Sequence, residues 1–198
     1  MPGNHVNRTF GVGGNTTGHV VTWLTPHIHS HSGLVSHLRR LAHTSVRTAG
    51  WDVRDLEGLG MRCAELLEYG GGGSGTGLGW HWDVGSTLTL VAMLNTSTQA
   101  GGELQLSTNC SLFRVPLQRG DVAVYRSRHR HRVTTVTAPR TVLAVEWWRG
   151  EQTSLPTRPG GAGKELLEPA GTGRKTGAAQ AGSNDALALG NVNSYAID

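Results

Sequence analysis

His81 and Asp83 stand two residues apart in the run LGWHWD (78–83), a spacing that puts both side chains on one face of a strand. An imidazole and a carboxylate so placed can grip one metal ion from a single side. The chain has ten histidines, so a lone His-x-Asp pair is weak evidence. A third donor is available in GDVAVYRSRHRHRVTTVTAPR, where His129 and His131 again share one face of a strand-like run. Two imidazoles and one carboxylate on one side of a metal leave the opposite positions open. Non-haem Fe(II) oxygenases use this arrangement, and zinc hydrolases use similar donors. Arg140 lies nine residues beyond His131, after Ala138-Pro139, and is the only charged residue between Arg132 and Glu146. A guanidinium at the start of an apolar strand needs an anionic partner, and a substrate carboxylate can take two parallel hydrogen bonds from it.

These residues need a rigid scaffold. From Met61 onward the chain breaks into eight short β-like runs, MRCAELLEY, LGWHWD, STLTLVAML, GELQL, LFRV, DVAVYR, HRVTTV and TVLAVEWW. Turn signals separate them, and so many short strands predict a sandwich or barrel. Ahead of them HVVTWL (19–24) reads as a strand. The segment from Gly33 to about Val46 places Leu34, Leu38, Leu41 and Ala42 on one helical face. His27, His29 and His31 beside Pro26 read as a flexible loop. Residues 1–17 are a Gly/Asn/Thr-rich lead-in, 18–152 the folded domain, and 153–198 a Pro/Gly/Ala-rich tail expected to be disordered for want of apolar surface to bury. Alternation turns Trp80 and Trp82 away from His81 and Asp83 as packing residues, and turns Arg126, Arg128, Arg130 and Arg132 away from the metal.

Bulk properties exclude several classes. With 198 residues there is room for one ordinary domain and a tail, and 29 glycines with 16% charged residues suit a turn-rich β domain. Two cysteines, Cys63 and Cys110, make neither a disulfide framework nor a zinc cage. Gly70, Gly72 and Gly75 satisfy G-x-G-x-x-G trivially, but a strand follows them, not a helix, so no dinucleotide site is expected. The net charge of +4 is a mildly basic surface with no clear nucleic-acid motif. No stretch of signal-peptide type and no membrane span is visible, which leaves the cytoplasm as the default and the compartment unassigned.

Between about Tyr69 and Arg149 the chain resembles the catalytic domain of prolyl 4-hydroxylase-type Fe(II)/2-oxoglutarate-dependent dioxygenases. The resemblance rests on EYGGGGSGTGLGWHWDVGSTLTLVAMLN, AGGELQL, VPLQRGDVAVY and HRVTTVTAPRTVLAVEWW, which occur in the family's order. It implies a double-stranded β-helix (jelly roll) with a flanking N-terminal helix. It implies Fe(II) bound by His81, Asp83 and His131, with His131 preferred to His129 by its offset from Tyr125 and Arg140 and by the following Val133. Arg140 would hold the distal carboxylate of the cosubstrate 2-oxoglutarate. Tyr69 matches a tyrosine that lines the cosubstrate pocket. Some members place another such tyrosine where this chain has Ala92 and Met93.

The implied reaction consumes O2 and releases succinate and CO2 while hydroxylating prolyl residues of a peptide or protein, proline-rich substrates included, with L-ascorbate dependence. Related halogenases lack the carboxylate ligand, so Asp83 favours hydroxylation. Two other readings stay open. A nucleic-acid alkyl-damage dioxygenase would carry a second arginine six residues after the first, where this chain has Glu146. A non-catalytic β-sandwich binding module would keep the fold without turnover.

Overall fold

β-branched and aromatic runs favour a pleated, packed surface, and here they form strands. The computed structural model describes residues 8–9, 19–52, 54, 56–70, 76–95, 101–108, 111–152, 165–166 and 194–197. Before the main domain come β1 (Arg8–Thr9), β2 (Val20–Trp23), α1 (Thr25–His29) and α2 (Ser32–Thr48). Then follow β3 (Gly60–Tyr69), β4 (Thr76–Trp82), β5 (Leu88–Met93), β6 (Leu104–Ser107), β7 (Leu112–Val115), β8 (Val122–Arg126), β9 (Arg130–Val136) and β10 (Arg140–Trp148), one strand for each of the eight runs. β11 (Glu165–Leu166) and β12 (Ser194–Ile197) complete the order.

The strands make two sheets. One has the order β1-β2-β3-β10-β5-β8-β12 and the other β11-β4-β9-β6-β7. From β3 to β10 successive strands switch sheets, except that β6 and β7 form a hairpin within the smaller one, giving the expected mainly-β jelly-roll-like fold with a helical N-terminal region.

The larger sheet is buried on both faces. Leu67, Val91, Tyr125, Val142 and Ala144 cluster with Leu78, Leu104, Leu106 and Val133 of the smaller sheet. On the other face Leu88, Leu90, Val124, Val145 and Trp147 cluster with Ile28 of α1 and Leu38, Ala42 and Val46 of α2. Double coverage is why β5, β8 and β10 read as continuous apolar runs rather than alternating ones. Arg140 and Glu146 are the charged residues of β10, both buried on the face turned to the smaller sheet.

Two local details differ from the sequence reading. His27 and His29 lie on the short helix α1, not in a loop, because Pro26 sits in its first turn, where the missing N–H needs no partner. Ser30 Oγ donates to the His27 carbonyl at 2.8 Å, closing the connection to α2. The buried face of α2 begins at Leu38 and runs through Ser45 and Val46, whereas Leu34, one turn earlier, is 42% exposed. Within the terminal segments, a few residues pair with the sheets. Arg8–Thr9 pairs with β2, Glu165–Leu166 with β4, and Ser194–Ile197 runs parallel to β8. The rest of the lead-in and tail lies outside the described residues, as does Cys110, while Cys63 is a buried thiol. Among the described residues no helix is long and apolar enough to cross a membrane.

The helix layer is tested by Leu38→Ala. Truncating this 4%-exposed side chain should cost about 2–5 kcal/mol of unfolding free energy in urea titration. A loss below about 1 kcal/mol, the level of a surface change, would contradict the packing described.

Candidate metal centre

Strict alternation along β4 would put Leu78, Trp80 and Trp82 on one face. The pairing prevents this. Leu78 lies opposite Val133 and His81 opposite His131, so three steps on β4 match two on β9 and one residue bulges between them. The bulge lets Leu78 point into the interior and still turns His81 inward, leaving Trp80 and Trp82 half-buried elsewhere. Arg130 and Arg132 place their guanidinium carbons 5.8 and 4.8 Å from the Trp80 ring centre, so two of the arginines turned from the metal site meet Trp80.

His81 and His131 are 0% and 5% exposed, with ring centres 4.1 Å apart. Each imidazole is oriented by a backbone carbonyl two residues earlier: His81 Nδ1 lies 2.8 Å from the Gly79 oxygen, and His131 Nδ1 lies 3.0 Å from the His129 oxygen. A carbonyl only accepts, so Nδ1 carries the proton and Nε2 presents its lone pair, the form a metal requires. Asp83 follows β4 immediately. Thr89 of β5 donates its hydroxyl to Asp83 Oδ2 at 2.8 Å, and the Asp83 N–H donates to the Ser127 carbonyl at 3.1 Å. His131 Nε2 is 3.6 Å from Asp83 Oδ2, and one donor atom from each of His81, Asp83 and His131 lies within 4.8 Å of the others. A single cation with bonds of about 2.0–2.2 Å can bridge such a set. His129 is not a member of this group; it lies in the β8–β9 turn, where its carbonyl orients His131.

Arg140 opens β10 directly opposite Tyr69, the last residue of β3. It is 1% exposed, and its guanidinium carbon sits 5.2 Å from the Tyr69 ring centre. Its Nε, Nη1 and Nη2 are buried with no hydrogen-bond partner of acceptable geometry among the described residues. Burial holds the group below its usual pKa, opposed by the Tyr69 and Tyr125 hydroxyls. A buried cation so poorly matched by protein acceptors is set up for an anion from outside. Tyr69, Arg140, His81, Asp83 and His131 line one cavity, whose remaining wall is largely apolar.

Two contributors escape sequence reading. Tyr125 packs its ring 4.9 Å from that of His131, and burial, then the nearby Asp83 charge, raises its hydroxyl pKa well above the usual value, so it stays neutral. Thr89 is the one hydroxyl within β5 (LTLVAM), and its inward parity with Val91 was the available signal.

Residues 64–149 match the family model of the 2OG-Fe(II) oxygenase superfamily. No curated protein sequence matches the chain significantly. Among solved structures, a 2OG-Fe(II) oxygenase-family oxidoreductase from Burkholderia pseudomallei is similar with a TM-score of 0.57 and 21% identity, covering 75% of this chain and 74% of that one. A prolyl hydroxylase from Trichoplax adhaerens, solved with a hypoxia inducible factor peptide fragment, gives 0.51 and 16%, covering 73% and 71%. The epimerase SnoN, solved with Fe3+, alpha ketoglutarate and nogalamycin RO, gives 0.52 and 16%, covering 83% and 79%. At these identities the structures share the fold, and they differ in the reactions their names describe.

The choice between the two histidines has a direct test in anaerobic titration with Fe(II). His131→Ala should lose tight binding, whereas His129→Ala should keep it within a few-fold, because its contribution is a backbone carbonyl. The opposite ranking would mean that the donor set has been misidentified.

Proposed function

We propose that this chain, whose residues 64–149 match the family model of the 2OG-Fe(II) oxygenase superfamily, is an Fe(II)- and 2-oxoglutarate-dependent dioxygenase that hydroxylates prolyl residues of a peptide or protein. The observation that carries the chemistry is a buried His–Asp–His donor set in one cavity with a buried guanidinium. Nitrogen and carboxylate donors without a thiolate fit Fe(II). His81, Asp83 and His131 would hold the ion. When bound, Fe(II) with 2-oxoglutarate and O2 supplies oxidative decarboxylation to succinate and CO2, coupled to oxidation of the substrate.

The chain's own residues supply placement. Arg140 would take the distal carboxylate of 2-oxoglutarate, and the Tyr69 hydroxyl, on the strand position opposite, would be a further donor to it. Leu67, Leu78, Val91, Val133 and Val142 wall the cavity and keep water from the reacting groups. Tyr125, neutral at all physiological pH values, can donate a hydrogen bond there without adding charge.

The prolyl substrate is supported by the motif order between Tyr69 and Arg149 and by the shared fold of a prolyl hydroxylase. L-Ascorbate would then be needed to maintain the iron. A nucleic-acid substrate is disfavoured by Glu146, a buried carboxylate on the wall of the same cavity where a second arginine would be wanted.

Protein loaded anaerobically with Fe(II) and 2-oxoglutarate should form succinate once O2 is admitted, and His81→Ala should not. Equal succinate from both would sink the reading. Proline-containing peptides should raise succinate formation and gain one oxygen by mass, while methylated oligonucleotides should do neither. Arg140→Ala should raise the KM for 2-oxoglutarate about 30-fold or more, the ratio for 2 kcal/mol, which is the lower end for losing one side of a buried charge pair. An unchanged KM would remove Arg140 from the cosubstrate site.

A further inference from the structure

A second buried polar group stands beside the metal centre and plays no part in the roles assigned so far. Arg62 on β3 and Glu146 on β10 are both nearly inaccessible, at 2% and 3% side-chain exposure, with Nη1 3.5 Å from Oε2. The strand pairing singles out Arg62. Glu146 lies opposite Cys63 and Trp147 opposite Met61, so the register skips Arg62 and the strand bulges there. A bulge re-aims a side chain that alternation would send to the other face.

The guanidinium it aims reaches the turn that carries Asp83. Arg62 Nη1 donates to the Val84 carbonyl at 2.5 Å and to Ser86 Oγ at 2.9 Å. Ser86 Oγ in turn donates to Glu146 Oε2 at 2.6 Å. The turn is tight. The Ser86 N–H donates to the Asp83 carbonyl at 3.1 Å, and Gly85 has a φ of +84°. A Cβ on Gly85 would lie 3.0 Å from Arg62 Nη2, so glycine here also leaves space for the guanidinium. Glu146 is also the register partner of Thr89, whose hydroxyl holds the Asp83 carboxylate.

We propose that the Arg62–Glu146 pair is a positioning clamp: through Val84 and Ser86 it fixes the 83–86 turn and thereby aims the Asp83 carboxylate at the metal position. Two buried opposite charges are a weak source of net stability, because desolvation offsets their attraction, so their position against this turn points to geometry. The proposal rests on the metal reading of His81, Asp83 and His131. Neither Arg62 nor Glu146 is a catalytic residue; each acts on the metal through Asp83.

The test is titration with Co(II) alone, in parallel with thermal melting. Arg62→Met combined with Glu146→Leu removes both buried charges, which avoids leaving one of them alone. The expected result is a melting temperature near that of the wild type with Co(II) affinity weakened about 10- to 100-fold, the range seen when partners of metal ligands are lost. Ser86→Ala removes the Ser86 contacts to both members of the pair and leaves the Arg62–Val84 contact, and should weaken Co(II) binding in the same direction, by less, even where the double variant does not fold. Ser86→Thr keeps the hydroxyl and should restore wild-type affinity. Folded variants that bind Co(II) as tightly as the wild type overturn the clamp and leave the metal site standing. A wild-type chain that binds no divalent metal overturns the metal reading, and the clamp with it.

Discussion

Two imidazoles and a carboxylate lie 0–5% exposed in an interior built largely from valine and leucine, and the rest of the structure is arranged to bear that burial. Polar groups taken from water into such a place are costly unless each finds a partner. Here the histidine Nδ1 atoms meet backbone carbonyls and the Asp83 carboxylate meets the Thr89 hydroxyl. Those partners satisfy one side of each group and leave Nε2 and carboxylate oxygens converging on a common point, where a cation can supply what the protein does not.

Convergence depends on strand register more than on any single contact. His81 and His131 lie opposite each other on adjacent antiparallel strands, and Asp83 sits where β4 ends and its turn begins. The second sheet then contributes from across the cavity, with Thr89 from β5, Tyr125 from β8 and Arg140 from β10. The helix layer contributes indirectly. By covering the far side of the larger sheet, α2 makes β5, β8 and β10 rigid central strands instead of a solvated face, and a site assembled from such strands is held more tightly than one on loops.

Much of this was legible in the residue pattern. His81-x-Asp83, the eight short runs and Arg140 isolated in an apolar strand are local features, and period-2 alternation carries them directly. What stayed hidden depends on partners. A bulge is a mismatch between two strands, so neither the one before His81 nor the one at Arg62 has a signature in either strand alone. Glu146 was visible only as the absence of a second arginine, because its partner Arg62 belongs to a strand far earlier in the chain. His129 and His131 shared a face by alternation, and the backbone turn that puts His129 outside the donor group is a tertiary fact. Pro26 was ambiguous for a different reason: the same residue ends a strand and suits the first turn of a helix.

The most direct test of the account is a crystal structure grown anaerobically with Mn(II), standing in for Fe(II), and 2-oxoglutarate. The account requires one ion bonded to Nε2 of His81, Nε2 of His131 and the Asp83 carboxylate, with the distal carboxylate of 2-oxoglutarate on the Arg140 guanidinium. An ion held elsewhere, or a cosubstrate carboxylate turned away from Arg140, would contradict it.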